Sequence, residues 1–384
     1  MAQLTFLIYS PFPRYSGGRE NWLHNLAPHL SKRGRTVRVI SLASNRPVFY
    51  SLAKSGIELV ALPSARYFYS AFIVINRISL GLLHYLDLLL FYPLIGGIYL
   101  ARKHPRRLIC MSPIPEGFVA LLARVPYVVS VRSDVPKGLA VPYRFLERPF
   151  RWLERQVLLR ARKVLANGKD TQDRLAKVGI VSTVVPNGVD FERFAHLSAG
   201  DAVVDEFERK AAGRPVIAFV ATLHAIKGAD DAIACAAALR ARGVDFLLAM
   251  VGKGDPGQFK RRVEALGLGG WVEFLGETNA VPAVLQHSRI FLGLSLENGM
   301  SMSTLEAMAA GVPVVARNVP TYQQLIENES SGLLGSSPAE LADCCLRLLR
   351  DPGEARELAS RAQAAARDYD WPRVADILLA ETGF

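Results

Sequence analysis

A chain of 384 residues is longer than one ordinary hydrophobic core supports, so two domains of roughly 150 to 200 residues are expected. Half of its residues are apolar and 21% are charged, a balance that excludes a disordered polymer. The net charge of +11 is uneven: residues 1–195 hold 28 Lys and Arg against 11 Asp and Glu, or +17, and the remainder holds 18 against 24, or −6. The first half is therefore the one suited to an anionic surface or polymer.

The opening MAQLTFLIYSPFPR reads as a first strand, since no cation precedes its short apolar run and no small-residue cleavage site follows; no export signal is read there. Gly17 and Gly18 come next, where positive φ would let the backbone approach a reacting centre and a plain turn serves nearly as well, and a helix follows over residues 21–32, ended by Gly34. The runs TVRVISL, RLICMS, YVVSV and KVLAN alternate with helical stretches, which means a parallel sheet covered by helices.

Residues 79–101 are the most hydrophobic stretch. Asp87 interrupts them and leaves an uncharged run of 14 residues, short of the roughly 18 a spanning helix needs. Two readings stay open, a partial membrane-interface helix and a helix buried between the sheet and its neighbours. Lys103, His104, Arg106 and Arg107 follow. Residues 148–163, RPFRWLERQVLLRARK, form a basic amphipathic pattern that suits either an anionic lipid surface or a solvated basic face.

The alternation pauses at residues 189–214, with a hinge expected over 191–213, and restarts with PVIAFVA, FLLAMVG, WVEFLG and IFLGLS. The fold class is therefore α/β, with two doubly wound Rossmann-like domains. The expected division is 1–195, 196–368 and a closing segment 369–384 that packs back on the first domain, with helices over 338–367 and 371–380. Asn187 and Gly188 suit a left-handed turn at the junction. Cys110, Cys235, Cys344 and Cys345 show no zinc-type spacing and read as reduced thiols of a cytoplasmic protein; no Asp-rich loop appears, and neither metal nor cofactor is expected.

One segment concentrates the chemistry: ENGMSMSTLEAMAAGVPVVA, residues 297–316. It follows the apolar run 290–294, and ligands of open α/β sheets collect beyond the carboxyl ends of strands. Gly299, Ser301 and Ser303 permit close backbone approach, and a helix starting near Ser303 and Thr304 presents free amides to an anion. Ser303 and Glu306 equally make a capping box that would only start the helix. Lys227, taken alone, reads as a solvated lysine.

Taken in order, NGMSMSTLEAMAAGVPVVA, VPNGVDFERF, AFVATLHAIKG, MVGKG, VEFLGE and YDWPRVADILL are similar to the signature of the retaining, nucleotide-sugar-dependent glycosyltransferases of the fourth sequence family. PFPRYSGGRENWLHNLAPHLSKRG and ARKVLANGKDTQDRL resemble that family's first-domain segments, so the match covers nearly the whole chain.

The resemblance implies the GT-B architecture, two such domains facing each other across a cleft. It implies that Glu306 accepts hydrogen bonds from the donor ribose, that amides at Ser303 and Thr304 hold the diphosphate, and that Lys227 neutralises it. Arg132 and Asp134 would contact donor sugar or acceptor. Gly17, Gly18, Thr222, Asn298, Gly299, Met300 and Ser301 would complete the donor site. It implies a UDP- or GDP-linked sugar donor and a glycan or lipid-linked acceptor, with the enzyme at the inner membrane face in polysaccharide or glycolipid synthesis; no nucleic acid partner is expected. Asn298, Thr222 and Arg132 stand where the family usually has glutamate, arginine and histidine. That leaves a noncatalytic, membrane-associated nucleotide-binding protein as the alternative.

Overall fold

The computed structural model describes residues 2–14, 17–45, 48, 51, 56–63, 82–139, 143–196, 208–297 and 299–384. Contacts divide the chain into two units, Met1–Pro186 with Trp371–Phe384, and Asn187–Asp370.

The first unit is built on β1 (Ala2–Leu7), β2 (Arg35–Leu42), β3 (Ile57–Leu62), β4 (Leu108–Cys110), β5 (Tyr127–Val131), β6 (Lys163–Ala166) and β7 (Thr183–Val184), in the order β3-β2-β1-β4-β5-β6-β7. Every pairing is parallel. β4 and β5 are buried throughout, as strands covered by helices on both faces must be.

Helix Gly18–Lys32 buries Trp22, Leu23, Leu26 and Leu30. Against it lies the closing helix Trp371–Thr382, whose Asp376 and Pro372 carbonyl take the Arg33 guanidinium at 2.7 Å each. A further ion pair, Lys163 to Glu381 at 2.7 Å, ties that helix to β6.

The apolar segment does not stop at Asp87. Helix Leu82–Leu86 runs through a π turn, Asp87–Phe91, into helix Tyr92–Lys103; residues 79–81 lie outside the described residues. Asp87 is fully buried, and it is tolerated because its carboxylate accepts the Tyr9 hydroxyl. By length and composition Leu83–Lys103 could cross a membrane, and 33% of its most apolar window is buried. One flank (Leu88, Tyr92, Leu100) enters the core, whereas Leu90, Leu94 and Ile98, each four residues apart, are 56%, 59% and 47% exposed. The wholly buried reading is thereby corrected: the sheet covers only one side of a helix that is apolar all round.

The second unit orders its strands β10-β9-β8-β11-β12-β13, where β8 is Val216–Val220, β9 Leu247–Val251, β10 Val272–Gly276, β11 Ile290–Gly293, β12 Val314–Arg317 and β13 Leu333–Gly335. The expected helix 338–367 is two, Pro338–Arg350 and Pro352–Ala366. The break follows from Pro352, which cannot continue a helix, and from Asp351, whose carboxylate accepts the Gly353 and Glu354 amides to start the next one.

The chain divides between Pro186 and Asn187 rather than after residue 195. Phe191 and Phe194, in a helix capped by Asp190, pack with Met300, Leu305 and Met308 in the second unit's core, and Val189 bridges Asp370. The turn signals in NGVD marked a junction, but burying two phenylalanines decided on which side it falls. Asn187 and Gly188 are not in the left-handed region either.

Candidate donor site at the switch point of the second sheet

In the second sheet the winding reverses between β8 and β11, and the loops leaving these two strands are where an open α/β sheet offers a crevice. Lys227 stands in the loop after β8, in a single 3-10 turn, Ala225–Lys227, started by His224. The two loops are joined by the Leu296 amide donating to the Ile226 carbonyl at 2.8 Å. The Lys227 ammonium is ion-paired to the Glu297 carboxylate.

Glu297 is held in turn by its own carbonyl, which accepts the Thr321 hydroxyl at 2.9 Å, and by its amide, which donates to Ser295 Oγ at 3.2 Å. Tyr322 fastens the start of this loop by accepting the Ser295 amide at 2.6 Å. Glu297 stands one residue from the place where the family usually has glutamate, so the family spacing does not single it out. The usable signal was simpler: a carboxylate in the loop after a strand at a reversal point.

Two glycines are required here by geometry. Gly228 has φ +85, and a Cβ on it would lie 2.8 Å from the Leu294 carbonyl carbon. Gly252, from MVGKG, has φ +144 and would meet the Ala221 carbonyl carbon at 2.6 Å. Thr222 is exposed in the same loop as Lys227, just past β8.

The helix after β11 is Met302–Ala309, and its cap is Ser301, not Ser303. Ser301 has an extended backbone, and its hydroxyl accepts both the Thr304 amide at 3.3 Å and the Thr304 hydroxyl at 2.9 Å. The capping-box reading of Ser303 and Glu306 is thereby corrected, because a cap serves the second or third residue after it and Ser301 already holds that position. Consequently the Thr304 amide is engaged, whereas the Met302 and Ser303 amides have no acceptor among the described residues.

Gly299 has φ +107, while the Met300 side chain is buried in the core and its carbonyl accepts Asn187 Nδ2 at 2.5 Å. Met300 thus anchors the loop from within instead of lining a donor pocket, and Asn187 positions it. Asn298 lies outside the described residues.

Glu306 is half-buried, one turn into this helix, and its carboxylate has no hydrogen-bond partner among the described residues. Burial pushes its pKa up to about 7, against the opposing pull of the Arg193 guanidinium. A folded-state value raised above 4.5 favours the fold at acid pH, and this contribution is lost as pH rises through about 7.

A ribose held through its hydroxyls, the role the family resemblance implies for Glu306, would need the carboxylate, so the sign for such binding is opposite. Affinity is expected to weaken by up to about tenfold per pH unit below 7. Calorimetric titration between pH 5.5 and 8 checks this against Glu306→Gln, whose profile is expected to be flat; coincident profiles would remove the carboxylate from the site.

In the first unit the reversal falls between β1 and β4. Gly17 and Gly18 follow β1, but neither has positive φ: Gly17 is extended and precedes the helix, its carbonyl taking the Asn21 amide at 2.9 Å, and nothing lies within 4 Å of a Cβ on Gly18. A helix start, rather than a strained turn, occupies this place.

Arg132, just past β5, lays its guanidinium 4.2 Å from the Trp22 ring centroid and donates to Ser130 Oγ at 3.3 Å; burial lowers its pKa to about 9. Asp134 is committed locally, accepting Arg151 at 3.1 Å and the Lys137 amide at 3.2 Å.

Unanticipated from the sequence is Glu116, after β4. It is fully buried, and its Oε1 accepts the Tyr9 amide at 2.8 Å and Arg19 at 2.9 Å, whereas Oε2 has no partner among the described residues. Burial raises its pKa over the lowering pull of Arg19. Among the described residues no three of His, Cys, Asp and Glu cluster to hold a metal ion.

Two doubly wound parallel units, the second with a cation and open helix amides at its reversal point, define the class of the GT-B glycosyltransferases. Profile matches agree, "Glycosyltransferase Family 4" over residues 16–193 and "Glycosyl transferases group 1" over residues 204–368. The chain is similar to the 2-deoxystreptamine glucosyltransferase of Streptomyces kanamyceticus, 30% identical over 278 residues, covering 68% of this chain and 71% of that protein.

It also matches the D-inositol 3-phosphate glycosyltransferase of Salinispora tropica, 32% identical over 246 residues, or 58% of this chain and 51% of that one. The matched stretch thus spans about half the length of that relative. Anabaena HepE, solved in complex with UDP and glucose, shares the fold with a TM-score of 0.77 at 19% identity, over 99% of both chains. The chain belongs to the family 4 glycosyltransferases of GT-B fold.

Proposed function

We propose that the protein transfers a hexosyl or related group, with retention, from a UDP- or GDP-linked sugar to a glycan or lipid-linked acceptor at the inner face of the cytoplasmic membrane, in cell-surface polysaccharide or glycolipid synthesis. The observation that carries it is the junction of the Lys227 and Glu297 loops with the open amides of Met302 and Ser303 at one reversal point. HepE was solved with UDP and glucose, which supports a nucleotide sugar as donor. As the bond from C1 to the diphosphate breaks, its electron pair goes to the leaving group. Lys227, exchanging Glu297 for the incoming phosphate, and the helix amides meet that growing charge. Glu306 holds the ribose.

Membrane contact is supported by the exposed Leu90, Leu94 and Ile98 beside the cationic end of their helix. It is supported too by one face of helix Glu147–Arg160, where Arg148, Trp152, Arg155 and Leu159 are all exposed. The test supplies purified full-length chain with UDP-glucose or GDP-mannose and anionic vesicles carrying bacterial lipid extract, and reads the anomeric configuration of the product by proton NMR. Transfer with the donor's configuration preserved, dependent on vesicles, is expected; an inverted product or vesicle-independent rate would overturn the corresponding part.

A further inference from the structure

The first unit holds a cationic concavity, a cavity of about 660 Å³ at the amino ends of its strands, where Gln3 and Thr5 of β1 and Arg38 of β2 meet the segments entering β4 and β6. That is the end of the sheet away from the switch-point loops. Arg38 is spent, since Glu58 takes it at 2.8 and 3.0 Å. Lys103, Arg106, Arg107 and Arg162 also line the cavity, as does Phe384 with its terminal carboxylate, and none of the four cations is ion-paired to that carboxylate or to an acidic side chain among the described residues.

The convergence is built by the backbone. His104, at φ +39, ends the Tyr92–Lys103 helix in the left-handed region, rare outside glycine, and turns the chain so that Lys103 and the two arginines face one space. Unpaired like charges gathered in a concavity repel one another and focus the field that an anion relieves. Two arginine forks suit phosphate oxygens, and Tyr99 lines the cavity beside them.

We propose that this pocket binds a phosphate-ester or pyrophosphate group, as a site separate from the nucleotide site of the second unit. Two sources carry that chemistry, a soluble phosphorylated compound and an anionic lipid headgroup. The second is within reach because the helix that supplies Tyr99 and Lys103 also bears the exposed Leu94 and Ile98.

Inorganic pyrophosphate is titrated calorimetrically into the full chain, K227A, and K227A/R106Q/R107Q, with circular dichroism confirming that each is folded. Native protein is expected to show two binding events, K227A to keep one, and the triple variant to weaken that one about tenfold or more. R162Q, on another wall, is expected to weaken it as well. Superimposable isotherms for K227A and the triple variant would overturn the proposal, whatever the fate of the donor site.

Flotation separates the sources. If R106Q/R107Q loses recovery on phosphatidic acid vesicles but not on phosphatidylcholine, the headgroup is the ligand. Unchanged recovery alongside weakened pyrophosphate binding assigns the pocket to a soluble phosphate.

Discussion

Replacing Lys227 with alanine is expected to lower kcat/KM by about 10²–10³ while leaving the thermal midpoint nearly unchanged. The first number follows from what is lost when one preorganised donor to a developing charge is removed. The second follows from the partial exposure of the Lys227–Glu297 pair, 31% and 44%, because such pairs contribute about 1 kcal/mol or less to folding. Steady-state kinetics with a sugar nucleotide, beside calorimetry of its binding, separates the two effects. Were Lys227 a surface cation that happens to meet an acid, turnover would persist within about twofold and the stability change would be equally small. Glu297→Gln sharpens the comparison, since it frees the ammonium without removing it; turnover is expected to survive it far better than the loss of Lys227.

Gly228→Ala is expected to unfold the second unit's switch point and abolish nucleotide binding, at a stability cost of about 3 kcal/mol or more. A left-handed backbone alone costs a non-glycine residue roughly 1–2 kcal/mol. Here the added methyl also lies 2.8 Å from the Leu294 carbonyl carbon, main chain that cannot rotate away. Gly243→Ala is the control: its φ is +75, but nothing lies within 4 Å of the added carbon, so only the conformational cost of roughly 1–2 kcal/mol is expected. Chemical denaturation of both variants reads the difference. Equal midpoints would mean that the two loops yield easily and that their junction does not define the site.

Much of the architecture was legible along the chain. The runs that became β1, β2, β4, β5, β6 and β8 to β11 are short, β-branched and apolar, as strands covered on both faces must be, and the helices between them carry their own stop signals. β3 and β7 left weaker signals: β3 is exposed or half-buried along most of its length, and β7 spans two residues. The loop from Gly299 to Ser303 stands out by residue type and by its place after a strand, whereas Lys227 and Glu306 take a donor-site role only through the family resemblance.

What spacing could not supply was partnership. Ser301 and Ser303 are equally good caps in the sequence; the backbone at Ser301 chose between them. Asn187 looked like a turn residue until its amide was seen holding the Met300 carbonyl, 113 positions along the chain. Glu116 gave no signal, since a lone glutamate after a strand is ordinary until the Tyr9 amide and Arg19 close on it.

The sequence by itself determined two parallel α/β units, a basic first half and a glycine- and serine-rich helix start after a strand in the second, because periodicity, charge and local turn chemistry act over a few residues. Only the tertiary structure decided that Glu297 faces Lys227, that Met300 points inward, that one flank of the Tyr92–Lys103 helix stays bare, and that four cations gather behind the first sheet. Those outcomes depend on which distant segments the parallel strand order brings side by side, and through-space Coulomb and packing terms have no signature in any one stretch of chain.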